Sequence, residues 1–271
     1  MAYSEKIKFG KTGLEISRIG IGSSYGISSA GIEEAFEKGI NFFYFGTLRT
    51  AEMARGIQNL GAAHRNELLI AVQSYSRVPW VLSRSVDLAL GKLKLDYADF
   101  LILGKLDRVP KAAFEEEVMR LKESGKIRFL IVSAHKRRVF DEHLRSGIFD
   151  AIMVRYNAAH TGAEREVFPL LPANERPGVI CYTATRWGTL LQPVAAEKTA
   201  TASDCYRFAL RNPAVDVCLS GPKNRKELQE ALRTLNSPPM SDQEMEWMRR
   251  IGATVYKKQA HNFLLRKLIF D

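Results

Sequence analysis

The chain is poor in cysteine, in long apolar stretches and in runs of one charge. Only three of its 271 residues are cysteine. Cys181, Cys205 and Cys218 are odd in number and show no CxxC spacing, which argues against a disulfide framework or a zinc site and fits a reducing compartment. No stretch reaches the roughly 18 apolar residues of a membrane span. The opening MAYSEKIKFGKTG lacks the apolar core of a secretory signal. A cytoplasmic protein is the expectation. Signature motifs are missing too. Residues 20–26 read GIGSSYG, the wrong glycine spacing for GxGxxG, and there is no GxxxxGK[ST], HExxH or GxSxG. The five histidines do not pair at metal-ligand spacings, so no metal site is expected. Hydrolase and metalloenzyme readings lose their usual warrants.

Acidic residues are also in short supply. Thirty Asp and Glu face forty Lys and Arg, a net charge of +10. Such a surplus favours anionic partners or simple solubility. It is spread over short clusters, Lys136-Arg137-Arg138 among them, with no basic arm, and nucleic acid is not an expected partner. The tail HNFLLRKLIFD combines Phe263, Leu264, Leu265, Leu268, Ile269 and Phe270 with Arg266 and Lys267. Two readings stand for it: docking across the body of the protein, or an amphipathic contact with a membrane surface.

What is present reads as an ordinary globular chain, 46% hydrophobic and 26% charged. Short β-branched or aromatic runs predict eight strands, at Ile19–Gly22, Phe42–Phe45, Leu68–Val72, Phe100–Leu103, Phe129–Ser133, Ile152–Arg155, Val179–Tyr182 and Val215–Leu219. Runs such as FLIL and FLIV are apolar throughout, as strands buried on both faces must be. Helical periodicity fills the gaps. Val81, Val86, Leu90 and Leu93 share a face, as do Phe114, Val118 and Leu121, the latter helix stopping at Gly125. Asn224 reads as the N-cap of a helix carrying Leu228, Leu232 and Leu235. Strand-to-strand steps of roughly 22 to 37 residues suit right-handed βαβ units. Eight units without a polar linker predict one α/β domain over 1–271, a closed (β/α)8 TIM barrel, with an open doubly wound sheet as the alternative. Two additions flank it: an N-terminal β-hairpin turning at Gly10-Lys11-Thr12-Gly13 and an extra C-terminal helix capped by Ser241.

In such a barrel the chemistry sits at the C-terminal ends of the strands. Those ends read Ser23, Tyr44, Gln73, Gly104-Lys105, Ser133, Arg155, Tyr182 and Gly221-Pro222-Lys223. The blocks around them resemble the aldo/keto reductase family, in family order and over some 230 residues: GKTGLEISRIGIGS (10–23), GIEEAFEKGINFF (31–43), LALGKLKLDYADFLIL (88–103), LKESGKIRFLIVS (121–133), VRYN (154–157), GVICYTATRWGTLL (178–191) and LSGPKNRKELQEAL (219–232).

The resemblance implies a barrel that binds NADP(H) in extended form and reduces carbonyls by hydride transfer, with a Tyr acid assisted by Lys, Asp and His. This chain departs from that pattern at each catalytic position: Tyr44 for Asp, Arg49 for the acid Tyr, Gln73 for Lys and Gly104 for His. Arg49 cannot supply a proton, Gln73 carries no charge, and Gly104 offers no side chain. Tyr44 is the replacement donor to test, its pKa depressed if Arg49 lies near; Lys105 and His135 are further candidates. On the cofactor side, Ser133 keeps the family's Ser, while Ala134 and Met153 replace its Asn and Gln. Tyr182 stands where a Tyr stacks on the nicotinamide, Ser23 matches a Thr near the ribose, and the backbone from Thr183 to Gly188 corresponds to the pyrophosphate loop. Gly221, Lys223 and Arg225 begin where the family binds the 2′-phosphate, and a helix N-terminus with two cations suits a phosphate on physical grounds alone. Glu230 matches a Glu on the adenine side. Tyr44, Arg49, Gln73, Arg155, His160 and Arg186 are all expected to approach the same barrel face, making a basic, hydrogen-bonding mouth suited to a small anionic substrate. Two functions stand: an NADP(H)-dependent oxidoreductase acting on a small carbonyl-type substrate with a non-standard proton donor, and a dinucleotide-binding or sensor barrel without turnover.

Overall fold

Eight apolar runs become the staves of a closed parallel barrel. The strands are β1 (Ile7–Lys8), β2 (Glu15–Ile16), β3 (Ile19–Gly22), β4 (Phe42–Phe45), β5 (Leu69–Ser74), β6 (Ala98–Leu103), β7 (Ile127–Ser133), β8 (Ala151–Arg155), β9 (Gly178–Tyr182) and β10 (Val217–Ser220). β3 to β10 pair in chain order and close between β10 and β3, which excludes the open sheet. The computed structural model describes residues 3–194 and 197–270, with side chains for all of these except Ala62 and 259–270. The helices are α1 (Ser29–Glu37), α2 (Ala51–Leu60), α3 (Pro79–Leu93), α4 (Ala112–Glu123), α5 (Val139–Ser146), α6 (Ala163–Glu166), α7 (Ala202–Leu210), α8 (Arg225–Leu235) and α9 (Asp242–Phe270).

Strand parity divides the core in two. One set of buried side chains, including Phe42, Ala71, Phe100, Ile131, Met153 and Ile180, fills the barrel; the alternate residues pack outward against the helices. β1 and β2 form the antiparallel hairpin, pairing Ile7 with Ile16, and it plugs the N-terminal end. Its Phe9 is fully buried and meets Phe100 edge-on at 5.6 Å. Gly10 at φ +49 lets the turn press against Gly178, where a Cβ would lie 2.2 Å from the Gly178 nitrogen.

The same end is pinned by side chains that accept otherwise unpaired strand N–H groups. Asp99 takes Ile70 N at 2.9 Å, Asp150 takes Leu130 N at 2.8 Å, and Asp216 takes Val179 N at 2.8 Å. This accounts for a shift in the last strand, expected at Val215–Leu219 and found at Val217–Ser220. Val215 closes a turn onto Asn212, and Asp216 is spent on Val179 and Arg176 before pairing begins. In α3 it is Leu82, not Val81, that joins Val86, Leu90 and Leu93 in the core, because the 4-4-3 spacing holds a straighter stripe.

The caps fall where expected. Asn224 accepts from Glu227 N at 2.9 Å, Ser241 accepts from Glu244 N at 3.2 Å, and Gly125 adopts φ +73 behind α4. All three cysteines are buried free thiols. Among the described residues no helix is long and apolar enough to cross a membrane. The side chains of 259–270, on which both readings of the tail rest, lie outside the described residues.

Candidate active site at the barrel mouth

Inward parity delivers Tyr44 from β4, Gln73 from β5, Ser133 from β7, Arg155 from β8 and Tyr182 from β9 to the C-terminal mouth, with Gly104 just beyond β6. The Tyr44 ring is seated between two glycines: a Cβ at Gly22 would lie 3.2 Å from it and one at Gly46 3.1 Å. Its hydroxyl donates to Gln73 Oε1 in a short hydrogen bond. Gln73 Nε2 in turn lies over Gly104, 2.6 Å from where a Cβ would stand, and the Tyr75 ring crowds the same spot at 2.6 Å. The space that a side chain at Gly104 would need is therefore filled by Gln73 and Tyr75.

Tyr75 is a functional candidate that the strand-end reading missed. It follows Gln73 at period two, and that alternation was the available signal. Arg77 holds its loop in place. One guanidinium nitrogen donates to Tyr75 O and Ser76 O at 3.1 and 2.8 Å, the other to Gly104 O and Lys105 O at 2.6 and 2.8 Å. The clasp ties the loop after β5 to the loop after β6.

The expected activation of Tyr44 by Arg49 is not found. Arg49 is exposed, at φ +49, and its guanidinium turns to the Tyr25 carbonyl at 3.4 Å. Tyr44 is buried, and burial together with the phenols of Tyr75 and Tyr182 pushes its pKa up, not down. The hydroxyl stays protonated, a standing hydrogen-bond donor and a weak acid. Lys105 and His135 are exposed on their loops. His135 and Lys136 donate backbone N–H groups to Asp107 at 2.9 and 3.2 Å, which fixes the turn after β7.

The expected cofactor residues separate into two groups. Ser133 and Tyr182 meet in the mouth: both face inward, burial raises the Tyr182 pKa, and the nearby Arg155 and Ser133 oppose that rise. Thr183 follows at φ +58, and Arg186, Trp187 and Gly188 also have left-handed φ, a concentration of backbone strain of the kind stored at binding loops. Asn157, another residue missed as a site element, is fully buried and donates Nδ2 to Thr183 O at 2.8 Å, fastening that loop to the turn after β8.

The second group is committed elsewhere. Ser23 is buried, accepts from Gly46 N at 3.1 Å and donates to Leu48 O at 3.3 Å, so it staples two mouth loops. Gly221 is roofed by the Tyr25 ring, 2.4 Å from a hypothetical Cβ. Lys223 pairs with Glu227 at 3.0 Å, and Arg225 grips Glu34 through two nitrogens at 2.9 and 3.1 Å. Glu230 pairs with Arg233 at 3.0 Å.

These residues fit a nicotinamide dinucleotide in part. An inward, half-buried Tyr182 and the strained loop behind it suit a ring and a diphosphate. The carboxamide is left with the Ser133 hydroxyl alone, since Ala134 and Met153 have no polar side-chain atom.

Comparison with known proteins agrees with the architecture. No protein-family model matches the chain. A plant L-galactose dehydrogenase from Arabidopsis thaliana is 28% identical over 206 residues, 65% of this chain and 63% of that protein, so the match spans under two thirds of the plant enzyme's length. An uncharacterized oxidoreductase of Bacillus subtilis, YqkF, is 24% identical over 89% of this chain and 94% of its own. Among solved structures, the aldo-keto reductase AKR11C1 of Bacillus halodurans superposes in its apo and holo forms with a TM-score of 0.76, at 19% and 18% identity, over 92% of this chain and 96% of that one. The fold is that of these aldo-keto reductase structures, and the two sequence relatives are a dehydrogenase and an oxidoreductase by name. Where the sequence resemblance implies a charged catalytic set, this mouth holds an uncharged array of Tyr44, Gln73 and Tyr75, closed over Gly104.

Proposed function

We propose that the protein is an oxidoreductase that uses a nicotinamide dinucleotide, NADP(H) by the position of Lys223 and Arg225, on a small carbonyl-type substrate. The observation that carries the reading is the Tyr44–Gln73 pair, held at the mouth of this barrel beside Tyr182 and Ser133. The two curated relatives, a dehydrogenase and an oxidoreductase by name, support it.

Tyr182 and Ser133 would hold the nicotinamide end, the backbone of Thr183 to Gly188 the diphosphate, Gly221, Lys223 and Arg225 the 2′-phosphate, and Glu230 the adenine side. The group supplies hydride to the substrate carbon when bound; the protein's task is the oxygen. Burial keeps the Tyr44 hydroxyl protonated, and Gln73 accepts its hydrogen bond in the resting site. A carbonyl oxygen entering the mouth competes with Gln73 for that donor, and the amide nitrogen of Gln73 offers a second one. Among the described residues no lysine or carboxylate bears on Tyr44, so proton transfer from it is slow. A chemical step well below that of a charge-assisted acid follows, by about 10²–10⁴-fold.

The test is transfer of label from 4-deuterated reduced nicotinamide dinucleotide to a panel of small aldehydes and oxo acids, with wild type and Tyr44→Phe. Labelled alcohol, formed 10²–10⁴-fold more slowly (roughly) by Tyr44→Phe, is the expected result. Equal rates would remove Tyr44 as the donor. Dinucleotide binding with no transfer to any carbonyl would assign the barrel a binding or sensing role instead.

A further inference from the structure

The Tyr44 hydroxyl is buried, and its one proton is committed. It donates to Gln73 Oε1, and an amide carbonyl oxygen has no proton to return. A proton that leaves Tyr44 must be replaced from another direction. Two further phenols bear on this group, Tyr75 and Tyr182. The Tyr182 hydroxyl is itself buried and opens no path to water. Tyr75 is 53% exposed and reaches the same cluster from the rim of the mouth.

The backbone sets Tyr75 there. Ser74 ends β5, and its carbonyl accepts from Gly104 N at 2.9 Å, so the link between β5 and β6 runs on to the residue before Tyr75. Ser76 N turns back onto Ser74 Oγ at 3.2 Å. Arg77 clasps Tyr75 O and Ser76 O with one nitrogen and Gly104 O and Lys105 O with the other, which ties the loop to its neighbour. Gly104 is what admits the ring. Its Cβ would stand 2.6 and 2.8 Å from two ring carbons of Tyr75, and 2.6 Å from Gln73 Nε2. That glycine therefore brings the partner of Tyr44 and an exposed phenol to one point.

The hydrogen bonds at that point have a direction. Tyr75 raises the Tyr44 pKa by its charge and by hydrogen bonding, after the larger effect of burial. Because the Tyr44 proton already points to Gln73, its oxygen is the acceptor in that contact and Tyr75 is the donor. The chain runs inward from the exposed phenol to the buried one and ends on the amide. A Tyr44 phenolate left alone would be a buried anion, a costly state that transfer from the outer hydroxyl relieves.

We propose that Tyr75 is a positioning residue that links the Tyr44 hydroxyl to solvent, donating its O–H to the Tyr44 oxygen and replacing the proton that Tyr44 gives up. The role in turnover rests on the oxidoreductase reading; the link between the phenols does not. In reduction a C–H bond forms with the hydride of the reduced nicotinamide, and the carbonyl π pair moves onto oxygen. The Tyr44 O–H breaks as the alcohol O–H forms. The Tyr75 proton then passes to the Tyr44 oxygen, and Tyr75 takes one from water. Each carbonyl reduced draws one hydride from the dinucleotide and one proton from solvent, and oxidation of the alcohol runs the same transfers backwards.

The test is solvent exchange of the Tyr44 hydroxyl, read by NMR in the full chain with all nine tyrosines isotopically labelled at Cζ. In mixed light and heavy water a slowly exchanging hydroxyl gives separate ζ-carbon signals for its two isotopic forms, and a fast one gives a single averaged signal. The signal lost in Tyr44→Phe assigns the residue. Tyr75→Phe keeps the ring and removes the donor, and it should slow exchange at Tyr44 by about tenfold or more. Unchanged or faster exchange would overturn the proposal, since a ring that only covers Tyr44 does so without its hydroxyl. Should Tyr75→Phe fail to fold, Gly104→Ala pushes the Tyr75 ring aside and is expected to slow exchange likewise; an unchanged rate there overturns the link as well. In turnover, Tyr75→Phe should lower kcat and leave KM for the dinucleotide in place, with part of the loss recovered by Tyr75→His, which keeps a donor. An equal fall in both variants would refute the role in turnover. Absence of turnover in wild type would fall on the oxidoreductase reading, and the exchange rates would still decide the link between the phenols.

Discussion

The close approach of α9 to the turn after β8 allows a substitution whose sign is set by geometry against propensity. Gly252→Ala in the interior of α9 gains about 0.8–1 kcal/mol of helix propensity. Against this, the new Cβ meets only backbone: Ala158 O at 2.1 Å, Ala158 C at 2.3 Å and Ala159 N at 2.8 Å. No rotamer relieves a backbone contact, so the helix must retreat by roughly 1 Å to restore van der Waals separation. Overpacking of this kind costs about 1–3 kcal/mol, and the contact is at the severe end. The net expectation is destabilisation by about 1–2 kcal/mol, a lower unfolding midpoint by about 2–8 °C. Gly91→Ala in α3 is the matched control, since nothing lies within 4 Å of a Cβ there. It gains the propensity without the contact and should raise the midpoint by about 1–4 °C. The assay is thermal unfolding of both variants by circular dichroism. A Gly252→Ala midpoint equal to that of Gly91→Ala would refute the contact and, with it, the outer wall of the mouth.

Two further outcomes follow from the pairings. Glu34→Gln with Glu227→Gln releases Arg225 and Lys223 from their carboxylates. NADPH affinity should then rise while NADH affinity stays put, and the gain should shrink in salt. Equal change for both dinucleotides would remove the 2′-phosphate from this helix end. Burial, and then the charges of Arg186, Arg155 and Arg137, give His160 a folded pKa of about 4 against an ordinary 6.5, so as pH falls the unfolded chain takes up its proton first. Its contribution is constant above about pH 6.5, and stability is lost between 6.5 and 4. Allowing for its partial exposure, the loss is about 1–2 kcal/mol. Urea unfolding at pH 7 and pH 4.5 should show that extra acid loss in wild type and not in His160→Asn; equal losses would contradict the lowered pKa.

The barrel was readable from the chain because its strands are apolar on both faces and its helices keep their period. FLIL and FLIV have no polar alternative conformation, and Asn224, Gly125 and Ser241 mark helix ends by chemistry local to each. Strand parity likewise put Tyr44, Gln73, Ser133, Arg155 and Tyr182 at one mouth. What stayed hidden depends on partners distant in sequence. Arg225 and Glu34 are separated by 191 positions, and nothing local says that a cation placed for a phosphate already holds a carboxylate. Arg49 looked placed to act on Tyr44, yet a left-handed backbone turns it to Tyr25. Asn157 and Gly252 read as loop and helix residues, although one fastens two mouth loops and the other admits the helix that walls them. Tyr75 alone carried a usable signal, two residues beyond Gln73 on the same face.

The most direct measurement is a fluorescence titration of the purified protein with NADPH and NADH at two salt concentrations. The account predicts saturable binding of a reduced dinucleotide, weakened by salt where phosphate contacts contribute. No binding of either up to millimolar concentration would contradict the oxidoreductase assignment at its root.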